Sequence, residues 1–489
     1  MRDILPVLRI LGLLIMAFSS TMLIPAGVAY AYHEYLGKWH LIAAGITLLA
    51  GGLVWLSARR STYELQPRHG VMLVVATWTI LPIFAALPLL LGMQAIGRPI
   101  TFTHAFYEAA SGLTTTGGTI MTDIDKLPLS LNTWRCFLQW LGGMGILILV
   151  VAVLPLLGMG GSQLFRAESA GPMKETKLTP RIAETAKGLW LVYCTLSLLC
   201  ALGYFLAGMR IEDAILHMFT TVSLGGLSSH DAGFGFFEHS LGIELVATIT
   251  MVLCSANFAL YFSAINKRNS RIVWGNPELR LTVLCLLGGG LLVSMVLWHN
   301  DRYDFLNALR HGMFHTVSIA TTTGFGNEDF EAWPPFAPLF MLLLSSFATS
   351  AGSTGGGIKM LRVLVLFQLA RHELRRMVHP RLVQPSRIGK SLLPDHVVRA
   401  VVAYSVVYIA TLLVLTLLLL ASELDMVSSF AAALASLNCT GLGLAKVGPH
   451  STYAALTPFQ IWVCSAGMIL GRLELLSFFA LLLPSFWRR

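Results

Sequence analysis

A glycine-centred phrase recurs four times along this chain, and each copy sits between two long apolar stretches. The copies are Leu113-Thr114-Thr115-Thr116-Gly117-Gly118, Ser223-Leu224-Gly225-Gly226-Leu227, Ala320-Thr321-Thr322-Thr323-Gly324-Phe325 and Leu437-Asn438-Cys439-Thr440-Gly441-Leu442. With Gly117, Gly226, Gly324 and Gly441 taken as equivalent, the intervals are 109, 98 and 117 residues. Glycine lets backbone carbonyls turn toward an axis where a side chain would clash. Four such strands can replace the water around a bare cation. The repeat therefore implies one pore with pseudo-fourfold symmetry.

Composition fixes the setting. The chain is 55% hydrophobic and 12% charged, against about 25% charged in soluble domains. Many runs reach the ~20 residues that cross a bilayer as helix. The fold class is all-α and polytopic. Lys and Arg cluster in alternate loops: Arg59, Arg60 and Arg68; Arg166, Lys174, Lys177, Arg181 and Lys187; Lys267, Arg268, Arg271 and Arg280; and Arg371, Arg375, Arg376, Arg381, Arg387, Lys390 and Arg399. The positive-inside rule makes these loops cytoplasmic. The opposite loops hold 16 of the 25 carboxylates, among them Asp123, Asp125, Glu212, Asp213, Asp231, Glu328, Asp329 and Asp425. The glycine phrases lie on that acidic side. A carboxylate-lined mouth would concentrate cations there, although solvated outer loops are acidic in any case. The seven cysteines have no metal-ligand spacing and read as small apolar residues, with Cys439 an exception because it sits in a glycine phrase. The apolar run 10–29 is too long for a signal-peptide core and reads as a retained span.

Two spans come first, 5–30 and 38–57, within residues 1–69. A unit of span, short helix, glycine turn and span then occurs four times. Repeat 1 (70–187) has a short helix at 102–113 and a turn at 114–119. Repeat 2 (188–280) has its turn at 223–228, repeat 3 (281–397) at 320–326, and repeat 4 (398–489) at 438–443. The second spans are expected at 134–158, 241–264, 336–368 and 457–484. The short helices cannot cross a membrane, so they enter and turn back, with partially negative C-termini aimed at the axis. Each repeat holds two full spans, so all four are parallel. Ten spans in all would leave both termini cytoplasmic.

The residues also resemble a known family. Phe106-Tyr107-Glu108-Ala109-Ala110-Ser111-Gly112-Leu113-Thr114-Thr115-Thr116-Gly117, Gln139-Trp140-Leu141-Gly142-Gly143-Met144-Gly145, Pro180-Arg181-Ile182-Ala183-Glu184-Thr185-Ala186-Lys187, Gly352-Ser353-Thr354-Gly355-Gly356-Gly357 and Gly471-Arg472-Leu473-Glu474 are similar to the membrane subunit of Trk-type potassium uptake systems, in the Trk/Ktr/HKT superfamily. The two extra N-terminal spans match its Trk branch. The resemblance implies a K⁺-selective filter formed by Thr115, Thr116, Gly117, Leu224, Gly225, Gly226, Thr322, Thr323, Gly324, Cys439, Thr440 and Gly441. In plant relatives, serine at the first filter glycine goes with Na⁺ transport; Gly117 stands there here. Leu224-Gly225 and Cys439-Thr440 depart from the Thr-Thr of repeats 1 and 3. The resemblance further implies an intramembrane gate at 349–358, formed by Gly352, Ser353, Thr354, Gly355, Gly356 and Gly357 and touched by Arg472. It implies a homodimer in a bacterial inner membrane, bound to a cytoplasmic ring of nucleotide-binding regulatory subunits.

Simpler readings stand beside these. A close-packed helix crossing would also use the small residues 351–357. Arg472, costly near a helix centre, would snorkel or find an interior partner; Glu474, two residues on, is not on its face. Lys359 and Arg362 read as cytoplasmic-end charges. The basic loops suit either the regulatory ring or anionic lipid. Ser229-His230-Asp231 are sequence neighbours, which rarely form a catalytic relay. His104, His217, His311 and His315 read as satisfied outer residues. No nucleotide motif is present, no nucleic-acid partner is expected, and no nucleophile–base pair suggests an enzyme. No span carries the periodic arginines of a voltage sensor. Another four-repeat cation channel, or a Na⁺-permeable or cation-coupled symporter, is the alternative. No buried carboxylate chain suggests a proton relay.

Overall fold

The computed structural model describes residues 4–59, 67–152, 178–380, 387–388 and 391–487. The basic loop 153–177, with Arg166, Lys174 and Lys177, lies outside the described residues, as do Arg60, Arg381 and Lys390. Among the described residues, apart from one two-residue ladder, Arg387–Ile388 with Ser391–Leu392, the regular structure is helical.

Helices α1 (Leu5–Thr21) and α2 (Leu23–Ala31) form the first span and α3 (Gly37–Ala58) the second. Glycine sets the α1–α3 crossing. A Cβ on Gly12 would lie 2.6 Å from the Trp55 nitrogen, and one on Gly51 would lie 2.8 Å from that of Met16. Such backbone proximity gives packing energy where lipid removes the hydrophobic drive.

The four units follow. The first is α4 (Pro67–Ala95), α5 (Phe102–Leu113) and α6 (Leu129–Ala152). The second is α7 (Leu178–Leu206), α8 (Ile211–Val222), α9 (Leu241–Cys254) and α10 (Phe258–Asn266). The third is α11 (Pro277–His299), α12 (Phe305–Ala320), α13 (Phe336–Leu344) and α14 (Met360–Val378). The fourth is α15 (Asp395–Ala421), α16 (Met426–Asn438), α17 (Pro458–Arg472) and α18 (Leu476–Leu482). The short helices α5, α8, α12 and α16 begin at polar caps where geometry allows. Thr101 accepts from His104 N, and Asp425 from Ser428 N at 2.9 Å. They are largely buried. Ala431 through Ala435 are at most 1% exposed, while the long helices present leucines such as Leu198, Leu206, Leu413 and Leu417 outward.

The second span is broken in three units, a departure from the continuous spans expected at 241–264 and 457–484. α9 and α10 meet at 83°, and α17 and α18 at 105°. Asn257 breaks the first by capping α10, its side chain accepting from Ala259 N at 2.9 Å. The second breaks where Glu474 and Leu475 take φ of 55° and 43°. In the third unit, residues 345–359 separate α13 from α14. Among the described residues, six helices are long and apolar enough to cross a membrane by length and composition, or eight if each bent pair is one span.

Candidate functional site

Each short helix ends in the same turn. Thr115, Leu224, Thr322 and Cys439 have φ of 53°, 55°, 65° and 55°, and two residues later Gly117, Gly226, Gly324 and Gly441 have 84°, 75°, 81° and 77°. The residue between them donates its N–H five residues back in every unit: Thr116 to Ser111 O (2.9 Å), Gly225 to Thr220 O (2.8 Å), Thr323 to Ser318 O (2.9 Å) and Thr440 to Ala435 O (2.9 Å). Left-handed backbone is strained for threonine and leucine, so the surrounding packing must hold it.

The four turns close into a ring. A Cβ on Gly117 would overlap the Gly225 carbonyl oxygen. One on Gly226 would overlap that of Thr323, one on Gly324 that of Thr440, and one on Gly441 that of Thr116. The contacts run from each unit to the next and return to the first. All twelve residues nominated from sequence are in these turns. The turns themselves carry no charged side chain. A ring of neutral carbonyl oxygens backed by four helix C-termini is chemically suited to a bare cation and opposes an anion.

Buried polar groups brace the strands. Glu108, 1% exposed, pairs with Arg135 Nε at 2.7 Å and accepts from Ile120 N at 2.9 Å, just after Gly117. Tyr453 OH donates to Gly441 O at 2.9 Å. Asn438 accepts from Tyr408 OH at 2.6 Å and donates to Ser345 Oγ at 3.0 Å. Glu244 pairs with Arg310 at 2.7 Å and accepts from Asn327 at 2.8 Å. Glu108 and Glu244 belong to the 16 carboxylates on the acidic side. Their carboxylates are interior and neutralised, so they do not line a mouth.

Residues 349–359 pack against the ends of the short helices and the turns that follow them. Thr354 Oγ1 donates to Val222 O at 3.3 Å, and Gly356 N to Thr322 Oγ1 at 3.0 Å. A Cβ on Gly356 would overlap Asn438 O. Arg472, 3% exposed, donates to Thr354 O at 2.8 Å and to Gly142 O at 3.2 Å. The segment thus reaches all four units, the first through the Arg472 guanidinium. Arg472 does not snorkel, and Glu474 is not its partner. Glu474 instead pairs with Arg362, whose guanidinium sits 3.8 Å over the Tyr404 ring. Lys359 is 6% exposed and donates to Gly355 O at 2.5 Å. Lys359 and Arg362 are therefore interior, not end charges. Glu278, 6% exposed, accepts from Ala351 N at 2.6 Å. Buried carboxylates thus exist, each met by a donor. Their partners lie far away in sequence, and no local pattern could name them.

The remaining polar motifs are structural. Ser229 Oγ donates to Asp213 at 2.8 Å, and His230 bridges Asp125 at 2.6 Å and Asp213 at 3.1 Å. His230 touches carboxylates on both nitrogens and leaves none for a serine. His217 meets Asp213 O and Ser228 Oγ, and His315 meets His311 O and Glu328 O. The seven cysteines are free thiols, and Cys439 Sγ lies 3.6 Å from Met468 O.

Comparison with known proteins gives the lineage. A family model described as TrkH, cation transport protein, matches residues 38–487. The chain is 40% identical over 481 residues to the Trk system potassium uptake protein TrkH of Salmonella typhimurium, covering 98% of each. It is 42% identical over 488 residues to that of Vibrio parahaemolyticus, covering 99% of each. The Trk system potassium uptake protein TrkG of Escherichia coli is 36% identical over 477 residues, 98% of this chain and 97% of that one. A crystal structure of the potassium transporter TrkH from Vibrio parahaemolyticus superimposes with a TM-score of 0.91 at 39% identity, covering 100% of this chain and 99% of the other.

Proposed function

The chain belongs to the TrkH family of cation transport proteins, and on that footing we propose that it takes up K⁺ across the inner membrane through the ring of four loops. The observation that carries this reading is the closed circle of glycine–carbonyl contacts from Gly117 to Gly441. A K⁺ ion entering from the acidic side exchanges water for carbonyl oxygens of the twelve turn residues. The four helix C-termini behind them favour its charge.

Residues 349–358 act as the gate. Arg472 and Lys359 hold the loop by its own carbonyls, at Thr354 and Gly355. They also put two positive charges beneath the ring, which repel a cation most strongly where water is excluded. Opening requires those bonds to be exchanged. A cytoplasmic ring of nucleotide-binding subunits drives the exchange, docking on the basic loops of a homodimer whose termini are cytoplasmic. A Na⁺-permeable or cation-coupled carrier is the competing reading, favoured by the unequal side chains of the four strands.

Radioactive rubidium uptake into vesicles holding the purified protein, competed with K⁺ and with Na⁺, decides between them. Competition by K⁺ alone is the expected result. Equal competition by Na⁺ would leave the ring as scaffold without selectivity.

A further inference from the structure

Three of the four turns carry threonine at the position before the ring glycine: Thr116, Thr323 and Thr440. The second carries Gly225. Gly225 is absent from the left-handed positions that explain the other ring glycines, so backbone freedom is not the reason for glycine there. Space is the reason. A Cβ on Gly225 would overlap the Gln139 side chain, with Oε1 at 2.6 Å and Nε2 at 2.7 Å.

Gln139 lies on α6 of the first unit and is fully buried. Its Nε2 donates to Gly225 O at 2.7 Å, and its Oε1 accepts from Leu227 N at 3.2 Å. A carbonyl can only accept and an N–H can only donate, so the amide has one orientation. In the first and third turns the threonines brace themselves, Thr114 against Thr116 at 2.7 Å and Thr321 against Thr323 at 2.8 Å. No such pair exists in Ser223-Leu224-Gly225.

We propose that Gln139 is a positioning residue for ion selectivity, filling from the first unit the place a threonine holds in the other turns and fixing the second strand by its amide. The proposal rests on the filter reading above. The carbonyl it grips, Gly225 O, is also the one lodged against Gly117. Gln139 therefore sets the contact between the first and second quarters of the ring. Among the described residues no side chain donates to the equivalent oxygens of Thr116, Thr323 or Thr440, so Gly225 O has a donor that its three counterparts lack.

The test compares wild type, Gln139→Met, Gly225→Thr and the double variant Gln139→Ala/Gly225→Thr. It reads rubidium uptake competed by K⁺ and Na⁺ in vesicles, and the yield of monodisperse protein. Gln139→Met keeps the length and removes both hydrogen bonds. It is expected to fold and to lose roughly tenfold in K⁺ over Na⁺ preference, the scale of one buried hydrogen bond. Gly225→Thr alone is expected to lose folded protein or uptake, and the double variant to recover both uptake and preference. Wild-type preference in Gln139→Met, or a double variant no better than Gly225→Thr, would overturn the assignment and leave the filter reading intact. If Gln139→Met fails to fold, the double variant decides alone. A wild type that does not prefer K⁺ would overturn the filter reading and this one with it.

Discussion

At the scale of single residues, the ring glycines are fixed twice over, by their φ and by the neighbouring carbonyl. Gly117→Ser would meet both constraints, at φ 84° and against Gly225 O. The variant is expected to bind Na⁺ competitively where wild type does not, in the rubidium competition assay. An unchanged preference would count against Gly117 as a ring position. Glu108 and Arg135 make a second prediction. Removing one partner of a buried ion pair leaves a bare interior charge, at a cost of roughly 3–5 kcal/mol. Arg135→Met is therefore expected to lower the thermal unfolding midpoint in detergent well below that of wild type. Arg135→Met combined with Glu108→Gln is expected to recover part of the loss.

At the scale of elements, two connections carry testable consequences. Residues 349–359 are held by Arg472, Lys359 and contacts to Val222, Thr322 and Asn438, so on the gate proposal deleting Gly355–Gly357 is expected to raise flux. Lower flux from normally folded protein would favour a packing role instead. Elsewhere, His230 joins the loop bearing Asp125 to helix α8 at Asp213, stacked 3.6 Å from Phe236 with the His217 ring 6.4 Å away. The Asp231 carboxylate accepts from Ile124 N in the same junction. Burial pushes the His230 ring down, but the Asp213 and Asp125 carboxylates outweigh it and hold the ring above its ordinary 6.5. Burial pushes Asp125 up, but hydrogen bonds from His230 and Asp231 N hold it below 3.8. The His230 contribution is therefore full below 6.5 and lost as pH rises through its raised value. The Asp125 contribution is full above 3.8 and lost as pH falls through its lowered value. Unfolding midpoints measured against pH are expected to drop on the alkaline flank in wild type and to lose that drop in His230→Gln. Identical profiles would remove His230 from the junction.

At the scale of the whole molecule, what was legible in sequence is what is local. The short helix α5 appears at its expected limits, 102–113, because caps, glycine turns and apolar runs are short-range signals. The four phrases meet in one ring, since each marks its own turn. The breaks in the second spans were not legible, because α9–α10 and α17–α18 are apolar on both sides of the bend. The braces were not legible either. Gln139 and Gly225 are 86 residues apart, and Arg472 and Gly142 are 330 apart. For Lys359 and Arg362 the local pattern pointed the wrong way, since positive residues after an apolar run look like a cytoplasmic border. A single polypeptide draws the whole ring. An assembly of four identical chains receives every substitution in quadruplicate, and each quadrant must tolerate the same change. Here each quadrant is written separately, so Gly225 can yield its side chain to a neighbour while Thr116 and Thr323 keep theirs. If the ring selects ions as proposed, its preference can be altered one quarter at a time, by steps too small for a homotetramer to take.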